Sequence, residues 1–168
     1  MTHLDIANSL AETPKTLSQI LSLVDDDLAQ WKTDENTWCI NEVIGHLIWA
    51  DGPAFKDRIK LMCQEDGSTL PIINVSDAAK ARQDHTKTLN TILAEFEETR
   101  AESVAFVKSL NPKSLSNSAH YKDKLWLASD FLYEWPFHDY GHIKQIMNIL
   151  RAKLAPYMSD TMRQAVGF

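Results

Sequence analysis

Two cysteines in 168 residues, Cys39 and Cys63, sit in no CxxC pair, which excludes a disulfide framework and a cysteine-built zinc site. Glycine and proline are sparse, five and six, and spread along the chain. No linker or low-complexity stretch divides it, so residues 1–168 are expected to form a single domain. No apolar run approaches the ~20 residues that a bilayer span requires, and no charged-then-apolar leader opens the chain. The expectation is a cytoplasmic protein with reduced thiols and no membrane partner. Basic residues are outnumbered, 17 against 23, for a net charge of -6; a broad phosphate-binding surface is disfavoured, and nucleic acid is not an expected partner. Nucleophile elbows and glycine-rich phosphate loops are missing as well. No segment alternates apolar and polar residues with period two, so no strand is expected.

What the chain does carry is helical periodicity. Its 44% hydrophobic and 24% charged residues suit a globular protein with an ordinary core. Leu17, Ile20, Leu21, Val24 and Leu28 mark a first helix opened by Thr13 and Pro14, with a shorter helical piece before it from Leu4. A second starts near Ile40 and runs through Val43, Ile44, Leu47, Ile48, Phe55, Ile59 and Met62, with Pro53 placed to kink it. The third is expected to open at Ser76 and Asp77 and to present Leu89, Ile92, Phe96 and Val107; the fourth runs from about Leu125 to Lys153 with Pro136 inside it. NPKSLSNSAHYKDK between them reads as a loop, and the tail adds a short closing helix. These elements predict an all-α four-helix bundle with kinked second and fourth helices.

The segment EWPFHDYGHIKQI, Glu134–Ile146, places His138 and His142 four residues apart. On a helix they share a face, about 6 Å apart at Cβ, and that face also holds Phe131, Trp135, Ile146 and Ile149. Two inward imidazoles need partners, because each unpaired buried polar group costs on the order of 1–3 kcal/mol. Hydrogen bonds across the bundle are one solution. A metal is the other, and a catalytic site of that kind takes at least one more donor. His46, at the edge of the second helix's apolar stripe, is the first candidate; His85, on the line of Leu89 and Ile92, is the second. His120 falls in a polar loop and His3 near the terminus, where a solvated imidazole is the ordinary outcome, and HDYGH is only a weak approach to the HExxH zincin pattern, with Asp139 in the glutamate's place.

The stretches WCINEVIGHL from Trp38 and WPFHDYGHIKQI from Trp135, with Phe55 and Arg58 between them, resemble the two motifs of the DinB/YfiT-like family of metalloenzymes. The resemblance runs from Leu10 to about Leu154. It implies a four-helix bundle with a family-specific crossover and a divalent metal ion, zinc or nickel, held by His46, His138 and His142. It further implies a small-molecule substrate, either in hydrolysis or in transfer of a low-molecular-weight thiol, and a homodimer. Helical spacing makes Glu42, Glu134 and Gln145 the candidates for orienting the imidazoles. Arg58 reads as an ion-pair former or as a contact for an anionic substrate. The alternative from a different class is a non-catalytic stress or sensor bundle that binds metal or a small ligand with the same three histidines.

Overall fold

The computed structural model describes residues 1–74 and 81–168. Four rods build the bundle: α1 (His3–Ile20), a second rod of α3 (Ile40–Ala50) and α4 (Asp57–Gln64) joined by a π turn (Asp51–Lys56), α5 (Leu89–Ser109), and α6 (Ala128–Leu154). Short α2 (Asp26–Gln30) lies before the second rod and α7 (Asp160–Ala165) closes the chain. α1 packs on α5 and α6, and the second rod packs on the same two helices. Among the described residues no helix is long and apolar enough to cross a membrane.

Several boundaries differ from the sequence expectation, each for a visible reason. α1 begins at His3 and runs through Pro14; reciprocal bonds between Thr2 and Asp5, at 2.7 and 3.2 Å, cap its true start. Proline cannot donate to the carbonyl four residues back, and Arg100 Nη1 lies 3.4 Å from that freed Leu10 oxygen. Leu28 belongs to α2, because α1 ends at Ile20. Pro53 lies inside the π turn, where the wider ladder passes over its missing N–H. α5 begins at Leu89, capped by Thr88, and the Leu89 N–H is taken by Asp26 Oδ1 at 2.7 Å. The expected start at Ser76 and Asp77 lies outside the described residues.

Strands are present, contrary to expectation. β2 (Ser118–Tyr121) and β3 (Lys124–Leu127) form a hairpin with Ala119 opposite Trp126, and β1 (Ser68–Thr69) pairs parallel to β2. Lys122 turns the hairpin with φ 55°, and α6 accordingly starts at Ala128, three residues later than the pattern suggested. The segment read as a loop therefore carries a 3-10 turn (Pro112–Ser116) and most of this hairpin.

The core has two apolar clusters, one around Phe55, Ile59, Met62, Phe131 and Trp135, the other around Ile40, Ile44, Leu47, Ile92, Phe96 and Ile146. Buried polar residues fall between them on every rod: Thr13 after Leu10, Asp51 after Ile48, Arg100 after Phe96, Asp139 after Trp135. Arg100, 1% exposed, bonds Asp51 through Nε at 2.8 Å and Nη2 at 2.9 Å, and Asp139 through Nη1 and through Nη2 at 3.0 Å. Trp135 Nε1 donates to Asp51 at 2.9 Å and Thr13 Oγ1 to Asp139 at 2.8 Å. One guanidinium thus ties all four rods together. Burial alone would weaken its hold on the proton; the carboxylates of Asp139 and Asp51 outweigh that and raise its pKa.

Candidate metal centre

α3 supplies His46, 8% exposed, and α6 supplies His138 and His142. The α6 stripe is oriented as its spacing requires, with Phe131, Trp135, Ile146 and Ile149 buried. His46 Nε2 lies 3.0 Å from His138 Nε2, and His142 Nε2 lies 3.2 Å from the same atom. One donor atom from each of the three falls within 4.8 Å of the others. Metal–imidazole bonds of about 2.0–2.1 Å at tetrahedral angles place donor nitrogens about 3.3 Å apart, so the observed spacings fit a shared cation.

Protonation points the same way. Burial first, then His142 and His138, push the His46 pKa down to about 3; burial, His142 and Arg100 bring His138 down to about 4. His142 is also lowered by burial, with Gln145 and Asp139 pulling against it. All three rings are therefore neutral at neutral pH, the form that ligates metal. Gln145 Oε1 accepts from His142 Nδ1 at 2.8 Å, which puts the His142 lone pair on Nε2, facing the other two rings. Among the described residues, His46 Nδ1 and His138 Nδ1 are buried without partners.

Aromatic rings wall the cluster. Trp38 lies 5.0 Å from the His46 ring and 6.4 Å from that of His142, Trp49 lies 5.9 Å from His46, and Phe55 meets His138 edge-on at 5.2 Å. Such apolar surroundings strengthen electrostatics inside the site. Trp135 stacks on Phe55 at 5.0 Å in the core.

The remaining candidates are placed as follows. Glu42 bonds Lys32 Nζ at 2.8 Å and the Cys39 N–H at 2.9 Å, a helix-capping use that commits its carboxylate. Glu134 makes no hydrogen bond to His138 Nδ1, and burial raises its pKa against the pull of Arg58. Gln145 alone of the three is hydrogen-bonded to an imidazole of the cluster. His85 is not on a long helix: it occupies a 3-10 turn (Asp84–Thr86), half exposed, 3.8 Å from Glu42. That turn packs so closely on α3 that a Cβ at Gly45 would meet Asp84 Oδ2 at 1.8 Å. Sequence reasoning passed over Arg100 and Asp51. Their signal was a charge on an apolar stripe, Arg100 four after Phe96 and seven before Val107, Asp51 four after Leu47 and four before Phe55.

A family model described as the DinB superfamily matches residues 9–146. Among solved structures, the chain is similar to YfiT from Bacillus subtilis, described as a probable metal-dependent hydrolase with an unusual four-helix bundle topology. The TM-score is 0.75 at 18% identity, over 88% of this chain and 85% of that one. No curated protein matches the chain.

Proposed function

The chain belongs to the DinB superfamily, and from that premise we propose that it is a metal-dependent hydrolase of a small-molecule substrate, with His46, His138 and His142 holding one divalent cation. The convergence of three imidazole nitrogens from two rods, 3.0 and 3.2 Å apart, carries this reading. A set of three neutral imidazoles suits zinc or nickel. Bound there, a divalent cation supplies Lewis acidity and brings the pKa of coordinated water toward about 7. The protein's own share is to keep the rings unprotonated, to hold His142 through Gln145, and to flank the cluster with the apolar rings of Trp38, Trp49 and Phe55. The described hydrolase character of YfiT, a protein of the same fold, favours hydrolysis over thiol transfer.

Protein purified without an affinity tag is expected to carry about one metal per chain and to hydrolyse members of an ester and amide panel. Chelation should abolish that activity. Turnover appearing only with added glutathione or cysteine would reassign the site to S-transfer. Stoichiometric metal with no turnover on any arm would leave a non-catalytic binder.

The outer face of α6 carries Tyr133, Phe137, Tyr140, Lys144, Met147, Arg151 and Leu154, in alternating steps of four and three. Phe137 is 76% exposed and Leu154 58%. This is the spacing of a helix–helix seam, and its exposed apolar side chains, Phe137, Met147 and Leu154, support a homodimer through α6. Light scattering should give twice the 19.1 kDa chain mass, and the mass of a single chain would reject the dimer.

A further inference from the structure

Arg58 is held firmly but lacks the partner its chemistry calls for. Its guanidinium carbon lies 4.4 Å from the Tyr121 ring centroid and 5.4 Å from that of Phe131, which fixes it between α4, the hairpin and the start of α6. A guanidinium offers five N–H donors. Among the described residues the Pro71 carbonyl is the one hydrogen-bond acceptor, at a limiting 3.5 Å, and Nε is buried with none. Among the described residues no carboxylate forms an ion pair with it, so the structural use expected of such a residue is not made. Trp126 Nε1, a second donor-only group, is also buried unpartnered, its ring 6.0 Å from the same Phe131.

A cavity of about 210 Å³ opens at this guanidinium, walled by Pro53, Leu61, Pro71 and Ile73, with exposed Asp57 at the rim. Apolar walls around one oriented cation are the build of a pocket for an apolar body with an anionic end. Glu134, the other acid near Arg58, has its pKa raised by burial against the pull of that guanidinium. Phe55, one turn before Arg58 on the same rod, lies against His138.

We propose that Arg58 anchors the carboxylate, or a similar planar oxyanion, of a small ligand whose apolar body fills this cavity. Calling that ligand the substrate rests on the hydrolase reading; the anion contact itself does not. Calorimetric titration of the metal-loaded protein with hexanoate and its neutral isostere hexanamide tests the contact. Hexanoate is expected to bind about tenfold or more tightly than hexanamide, as a charge-assisted bidentate contact requires. Arg58→Gln should erase the preference and Arg58→Lys should keep part of it, because the charge survives without the fork. His138→Ala should bind hexanoate as the unsubstituted protein does.

Equal affinity for the two probes, no detectable binding of hexanoate, or a preference that survives Arg58→Gln would overturn the proposal. So would loss of binding in His138→Ala, which would make the carboxylate a metal ligand. Should circular dichroism show Arg58→Gln unfolded, the ratio of the two probes on the unsubstituted chain and the Arg58→Lys result decide. Failure of the hydrolase reading shows separately, as absent turnover with the hexanoate preference intact.

Discussion

Replacing Arg100 with methionine is expected to lower the unfolding free energy by about 3–5 kcal/mol, the range for removing one partner from a buried ion pair. Methionine keeps much of the volume, so cavity formation contributes little. What it leaves behind is the carboxylates of Asp51 and Asp139, both 1% exposed or less, facing each other without a counterion. It also orphans the Leu10 carbonyl that Pro14 cannot serve. Arg100→Lys restores the charge but not the planar fork that spans two carboxylates, and should fall between the two. Urea unfolding of the three proteins at neutral pH provides the measurement.

The pH dependence of that loss gives it a signature. Without the guanidinium, burial and the neighbouring Asp139 carboxylate hold the Asp51 pKa above its unfolded value, as burial already does in the parent. The folded variant then binds protons more readily than the unfolded chain, and acid stabilises it relative to neutral pH. The gap between Arg100→Met and the parent should narrow from pH 7 toward pH 5. A gap that stays constant or widens, or a loss below about 1 kcal/mol, would mean that the network contributes little beyond packing.

How the sequence discloses this fold depends on the range of the interactions that set each part. The rods were legible because their buried positions recur at three and four, as Phe131, Trp135, Ile146 and Ile149 do. Their ends were not, where the deciding contact is distant: Asp26 supplies the cap of α5 and Arg100 makes Pro14 tolerable inside α1. Strands of two and four residues are too short for alternation to show, and β1 is held by pairing with β2 from another part of the chain. The same division holds at the site. The pair His138 and His142 follows from local spacing, and Gln145 reaches back one turn to His142. Glu42 looked equivalent by spacing, but its carboxylate closes the α3 N-terminus and pairs with Lys32, a competition that spacing alone does not weigh.

Substituting His46, His138 or His142 singly with alanine is expected to lower metal occupancy sharply, while His85→Ala and His120→Ala should leave it at the parent level. Each of the three supplies one of the converging nitrogens, and two imidazoles from one helix lack the third donor that a tight site takes. His85 is half exposed beside Glu42 and His120 lies exposed on β2, so both report on general effects of losing a histidine. Gln145→Ala should cost less than a ligand, on the order of 10–100-fold in affinity, since it frees the His142 tautomer but removes no donor. Because the His46 and His138 pKa values are pushed down to about 3 and about 4, cation uptake displaces few protons at neutral pH. Affinity should therefore fall less from pH 7 to pH 5 than at a site of unshifted imidazoles, which loses it as they protonate. Elemental analysis of the five histidine variants, with zinc titrations against a competing chelator across that range, measures both effects. Unchanged occupancy in His46→Ala would sever the second rod from the site and leave His138 and His142 as core hydrogen-bonding residues.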